Sequence, residues 1–282
     1  MIMNKRYLSI ILSCLFFSSL PSIAFASDHE THESSSVSDT AVQIEASIGH
    51  FEVEDNDGDD SDGQSINAAG SFAFNLLRAH IQLDSMLRYE DSDGSATNWS
   101  IGGHFGLRDE TRGHIALNTS FNKLRASDNI NAKYYRLGAE AEYFIDRLTI
   151  GGAIGTLHVI ASDEDETDSG ELNYFKALVR YYIRDNLKIE GSFGRVKTEG
   201  ESGEVDYTHL LAEYGFNDRP ITLFTRWNGL FIDDGDGDEI DTHQFLVGFK
   251  MNFGGAQHST IKTNDRRYFA DKCLFENVAA IC

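Results

Sequence analysis

Proline and cysteine are scarce, and cations are outnumbered. The 282-residue chain has two prolines, three cysteines, and 24 Lys and Arg against 45 Asp and Glu, for a formal net charge of −21. That balance excludes nucleic acid as a natural partner, because phosphate binding needs Lys and Arg. Beyond residue 20 no apolar run approaches the ~18–20 residues of a spanning helix, so no helical membrane anchor is expected there. Cys14 lies within the leader, which leaves Cys273 and Cys282 near the C-terminus. Their spacing matches no metal cage, and no His sits between them. In an exported chain the pair is expected to close a small disulfide ring rather than remain free thiols. No cofactor is implied.

The chain opens MIMNKRYLSIILSCLFFSSLPSIAFASDHE. Lys5 and Arg6 precede an apolar run from Tyr7 to Leu20. Pro21 breaks it, and Ala24-Phe25-Ala26 supplies a small-x-small cleavage site. Residues 1–26 read as a secretory signal peptide and 27–40 as a polar leader. A lipoprotein reading through Cys14 would shorten the apolar run and leave the Ala-x-Ala site unused. His29 and His32 of SDHETHE offer at most a weak metal grip on a flexible leader.

From residue 41 the hydrophobic period is two. In HIALNTSFN, Ile115, Leu117, Thr119 and Phe121 share one face, while Asn118 and Ser120 share the other. In ITLFTRWNGLFI, Leu223, Thr225, Trp227 and Phe231 oppose Thr222, Arg226 and Asn228. Segmenting on this alternation predicts twelve strands: 41–53, 65–76, 80–90, 97–108, 113–125, 132–145, 148–161, 171–184, 187–198, 206–217, 221–232 and 241–253. Most exceed the ~5–6 residues of a soluble sheet strand and suit a tilted bilayer crossing. Short turns (DETR, DR, DN, DRP) alternate with longer, acidic loops. Pro220, alone after the leader, falls in a short turn, where it breaks no ladder. An even number of long strands with loop lengths alternating in this way predicts an all-β, up-and-down antiparallel transmembrane barrel over 41–253. A soluble β-sandwich is the competing fold. Tyr89, Trp99, Tyr143, Tyr181, Tyr214 and Phe253, near strand ends, fit interfacial girdles.

The loop ends hold more than half of the 45 acids. In EDNDGDDSDG, Asp55, Asp57 and Asp59 have calcium-loop spacing, as do Asp234, Asp236 and Asp238 in DDGDGDE. Both lack the glycine that an EF-hand requires at position six. Weak, collective divalent binding is therefore expected, with ions bridging to lipopolysaccharide phosphates. The face opposite the apolar one carries charge: Glu45, Asp84, Arg88, Arg136, Glu140 and Lys176 in the first eight predicted strands. Arg180, Lys188, Glu190, Glu213, Arg226 and Lys250 continue it. These residues are expected to line the lumen. Bases gather on later strands and acids on earlier ones, so two signs should face each other across a narrow pore. A lumen plugged by ion pairs is the competing arrangement.

The pattern resembles Gram-negative outer-membrane β-barrels of the porin-like class over residues 41–253. The final strand HQFLVGFKMNF carries the likeness most directly. Its Gly248, Phe249, Met251 and Phe253 are spaced like the terminal assembly signal of such barrels. In that class the closing aromatic is commonly the last residue; here residues 254–282 follow as a tail. The resemblance implies periplasmic termini, insertion by the barrel assembly machinery, and a place in the cell outer membrane among its lipid and lipopolysaccharide. It implies passive diffusion of small polar solutes, with homo-oligomerisation left open. Two alternatives stand beside it. One is a non-conducting structural or adhesive barrel. The other is a rim lipid hydrolase, for which His158 and nearby Ser162 are candidates among His50, His104 and His209; no third orienting group is evident. The tail itself is open to three readings: a barrel plug, a peptidoglycan contact, or neither.

Overall fold

The computed structural model describes residues 40–55, 61–76, 79–92, 94–127, 131–162, 167–198, 204–216, 219–233, 239–254, 260–266 and 268. The expected signal peptide, Cys273, Cys282, Asp57, Asp59, Asp234, Asp236 and Asp238 lie outside these residues, as does the side chain of Asp55.

Twelve strands form a closed barrel. They are β1 (Ala41–Asp55), β2 (Ser61–Leu76), β3 (Ala79–Asp91), β4 (Ser95–Asp109), β5 (Gly113–Ala126) and β6 (Asn131–Ile145), then β7 (Leu148–Ser162), β8 (Thr167–Arg184), β9 (Leu187–Thr198), β10 (Glu204–Gly215), β11 (Ile221–Asp233) and β12 (Glu239–Phe253). Each pairs antiparallel with its chain neighbours, and β12 closes on β1 with Val42 opposite Phe253 and Asp55 opposite Ile240. Closure leaves no sheet edge, the condition a β-structure must meet where water cannot satisfy its backbone. A short helix, α1 (Ile261–Asp265), follows β12.

The expected strands are all present, but several run further into the acidic stretches. β2 begins at Ser61 rather than 65, β8 at Thr167 rather than 171, and β12 at Glu239 rather than 241. Apolar alternation ends where the bilayer would end, whereas backbone pairing continues as long as a neighbouring strand is available. A fifteen-residue strand at about 3.3 Å per residue, tilted about 40°, rises about 38 Å. That exceeds an apolar band of about 25 Å, so the surplus must stand in water. The turns at the other end are tight. Asp146, with φ of 46°, takes the left-handed conformation that Asp tolerates better than most residues.

Alternation sorts the side chains by face. Large apolar residues from every strand are exposed on the outside, among them Ile154 at 65%, Leu137 at 64% and Leu117 at 61% relative accessibility. A water-soluble chain would leave that continuous belt uncovered. Near the loop end Leu157, Tyr174, Val196, Tyr207 and Leu230 pack together with Ala153. Gly194 makes this possible, because a Cβ there would overlap the Tyr207 ring. This inner apolar cluster departs from the all-polar lumen face read from sequence. A second apolar cluster joins Leu124, Ala132 and Tyr134, and the rest of the described interior is mostly polar and charged, with buried apolar side chains such as Met86, Leu178 and Leu246 among it.

Candidate functional site

The twelve charged residues expected to line the lumen all fall on the inward set of their strands. Asp84, Arg88, Arg136, Glu140, Arg180, Lys188, Glu213, Arg226 and Lys250 are buried, and Glu45, Lys176 and Glu190 are partly so. The register brings most of them into local pairs. Lys188 Nζ lies 2.9 Å from Glu213 Oε2, and Lys250 donates to the same carboxylate. Arg226 donates to Glu45 at 2.9 Å, and Lys250 reaches Glu45 at 3.5 Å. Arg180 donates to Glu190 at 2.6 Å and to Glu142 at 3.4 Å. Arg88 bonds Glu90 on its own strand. The expected separation of acids and bases onto facing walls is therefore corrected. Burial favours neutralising each charge by its nearest opposite, and antiparallel neighbours supply one within a strand or two.

His104, on β4, sits between two carboxylates from different strands. Its Nε2 is 2.9 Å from Asp84 Oδ2, and its Nδ1 bonds Glu140. Gln82 Nε2 donates to both Asp84 oxygens, at 3.0 and 2.9 Å. Phe224 lies beside the paired cations of β11 and β12, 5.1 Å from the Arg226 guanidinium and 5.3 Å from Lys250 Nζ. Gly248 provides its space, since a Cβ there would strike the Phe224 ring and the Ala46 carbonyl. Of the other expected assembly-signal residues, Phe249 and Phe253 are exposed on the outer wall, and Met251 lies on the same face.

The tail completes the site, and sequence reasoning missed its residues. Thr260 caps α1 by accepting from Thr263 N–H at 3.2 Å. Asp265 Oδ2 then accepts from Lys188 at 2.8 Å and from the Tyr182 hydroxyl at 3.1 Å, with Arg180 Nε at 3.9 Å. Arg266 donates to the Asp146 carbonyl at 2.7 Å and stacks 4.6 Å over Phe144. Tyr268 is buried against Ala41 and Ala73. Lys262 N–H reaches the Asp185 carbonyl at 3.5 Å. These partners come from β1, β2, β6, β8, β9 and two hairpin turns, so the segment 260–268 crosses the short-turn mouth of the barrel. The Thr260 cap is the one local signal that could have marked a helix here; nothing local marks its seat.

An interior cavity of about 10 Å³ between Glu45, Asn67, Arg226 and Gln244 has room for one water. A larger recess of about 540 Å³ is lined mainly by outward residues of the apolar belt, among them Val179, Ile189, Leu210, Trp227 and Phe245. At the rim, Ser162 Oγ donates to the Asn131 carbonyl at 3.4 Å, while His158 packs on Tyr135 with ring centroids 6.5 Å apart. That is not a nucleophile–base pair. Among the described residues no group of His, Cys, Asp and Glu has metal-binding geometry.

No protein-family model and no curated relative matches the sequence. Solved structures match the fold. The translocator domain of the autotransporter NalP from Neisseria meningitidis aligns over 89% of this chain and 95% of its own, with 12% identity and a TM-score of 0.51. The beta domain of the Bordetella autotransporter BrkA aligns over 76% and 99%, with 8% identity and a TM-score of 0.50. The KdgM porin in complex with disordered oligogalacturonate aligns over 73% and 99%, with 10% identity and a TM-score of 0.47. The chain is a transmembrane β-barrel of the outer-membrane type. Its wall has the alternation, closure and apolar belt of that architecture, and its charged interior is shielded from lipid by the sheet itself.

Proposed function

We propose that this barrel is a porin-like channel of the cell outer membrane for small polar solutes, held closed in the described state by its own C-terminal segment. One observation carries this: the interior is built from charge. A barrel that only had to be solid could fill its lumen with apolar side chains, often at equal or greater stability than buried ion pairs give. Here several buried polar atoms, including Arg88 Nε and Nη1, Asn98 Oδ1 and Thr242 Oγ1, have no hydrogen-bond partner among the described residues. Such groups are satisfied by water, and a lumen that hydrates is one that polar solutes can enter. The seat of α1 is polar as well, so releasing it exposes charge to solvent rather than stranding an apolar surface.

A second reading is favoured by the filling itself. The Leu157–Tyr207 cluster and α1 seal opposite ends, as a non-conducting structural barrel would need. Planar-bilayer recording separates the two. The folded full-length chain is expected to be silent or rarely open, and the chain ending at Phe253 is expected to conduct. Silence from a truncated chain that still runs as a compact, heat-modifiable barrel would overturn the channel reading in favour of the structural one.

A further inference from the structure

We infer that the outer wall of β4 to β6 carries a binding site for the phosphate groups of a lipid headgroup, in the leaflet next to the acidic loops. Lys123 on β5 and Lys133 on β6 are directly opposed across the ladder. Both belong to the outward set, with Lys133 exposed and Lys123 partly exposed, and Arg125 stands exposed one outward position nearer the loop end. Directly opposed side chains have Cβ atoms about 5 Å apart, and like charges at that spacing repel. No ion pair relieves them among the described residues. Elsewhere on the same face the sequence does provide relief: Arg195 holds Asp206 through two hydrogen bonds of 2.6 Å, and Lys197 holds Glu204 at 3.0 Å. In a chain with almost twice as many acids as bases, leaving three cations together needs an anion to offset it.

The surroundings select which anion. One outward row deeper, Phe121, Tyr135 and His158 lie in register, with Phe121–Tyr135 centroids 5.1 Å apart. Trp99, opposite Lys123, sits edge-on to Phe121 at 5.3 Å. Aromatic side chains of this kind mark the membrane interface. Below them Ile115, Leu117 and Leu137 are exposed in the apolar belt. A ligand here meets cations at headgroup height and an apolar wall at acyl height, which fits a phosphorylated lipid and not free phosphate. The connection between these two strands, SDNIN, is also the least acidic of the long ones, so the repulsion a phosphate would meet is lowest there. The inference rests on the wall being membrane-embedded. It is independent of whether the barrel conducts.

The test is lipid retention by native mass spectrometry, using full-length folded protein mixed with diphosphoryl lipid A, its dephosphorylated form, or phosphatidylcholine. Wild type is expected to retain diphosphoryl lipid A preferentially. The double variant Lys123→Gln/Lys133→Gln should lose about thirtyfold in retention, the scale of two basic residues at an anionic lipid surface. Lys197→Gln, whose lysine is already paired, should retain it like wild type. Equal retention by the double variant and wild type would overturn the inference. So would equal retention of the dephosphorylated lipid, or displacement of the lipid by millimolar inorganic phosphate. Silence in conductance, the failure mode of the channel reading, leaves all of these outcomes unchanged.

Discussion

Asp265→Ala should unseat the tail while leaving the barrel folded. In the native chain the Asp265 carboxylate accepts from Lys188 at 2.8 Å and from Tyr182 at 3.1 Å. Hydrogen bonds to charged groups contribute about 1.5–3 kcal/mol each, and they are not additive when they share an acceptor. A net loss of about 2 kcal/mol for the pair is a reasonable scale, which changes the seated-to-unseated ratio about thirtyfold. The loss should fall on the seat and not on the wall, because Lys188 keeps Glu213 at 2.9 Å and is not left as an orphaned buried charge. Trypsin cleavage after Arg266 reads the ratio directly. The guanidinium of Arg266 is engaged with the Asp146 carbonyl and Phe144 when seated, and cleavage tracks the open population when reseating is fast. The variant should be cut about thirtyfold faster at this bond, with unchanged heat-modifiability. Lys262→Ala removes only a surface pair at 3.4 Å with the 84% exposed Asp146, and should change the rate less than threefold. Equal rates for Asp265→Ala and wild type would refute the ionic seat.

Three other perturbations test the wall and the lumen. Glu213→Gln removes the carboxylate that Lys188 and Lys250 share, so urea unfolding from lipid vesicles should report a loss of about 3 kcal/mol, typical of breaking a buried ion pair; a change under about 0.5 kcal/mol would mean the pair carries no stability. Gly248→Val pushes a side chain into Phe224 and the Ala46 carbonyl, whereas a Cβ at Gly170 meets nothing within 4 Å. The first should fold to the compact form in lower yield and the second should not, by electrophoretic mobility before and after heating. Leu137→Arg places a charge at mid-wall, where Leu137 is 64% exposed. It should lose about 2–4 kcal/mol in vesicles if that surface meets hydrocarbon, and close to nothing if it meets water.

The wall was legible because its code is local. Ile115, Leu117 and Phe121 declare their face within nine residues, and the same alternation recurs in every strand, so strand number, order and orientation follow from reading along the chain. Strand ends were less legible: pairing through Ser61–Gln64 or Thr167–Gly170 depends on a neighbouring strand and not on side-chain polarity. Within the site, the residue types facing inward could be read but not their partners. Arg226 and Glu45 are 181 positions apart, and only closure of β12 on β1 brings them together. Asp265 was invisible for a sharper reason. A five-residue helix is too short to show a period, and its partner Lys188 lies 77 positions upstream. The inner cluster of Leu157, Val196 and Leu230 was in principle readable, since parity places each on the inward face, but only β9 and β11 carry charge there and β7 carries none, so no single strand marks the cluster.

The two seals differ in physical kind, and that difference bears on what opening would require. The loop-end cluster is apolar. Wetting it costs about 25 cal/mol for each Å² of apolar surface exposed, and neither salt nor a charged solute relieves that cost. The turn-end seal is ionic and hydrogen-bonded. A solute or ion entering from that side can replace Asp265 at Lys188 and Arg180 group for group, because what those cations need is an anion and not a particular residue. On the channel reading, entry from the turn side would be an exchange, whereas entry from the loop side would meet a dewetted barrier of the kind that gates narrow pores. Truncation at Phe253 removes the turn-end segment and leaves the loop-end cluster, so residual rectification in the conducting truncated chain should be set by the Leu157–Tyr207 cluster. The charged layer between them, with Glu213 flanked by Lys188 and Lys250, and His104 by Asp84 and Glu140, would then choose what passes.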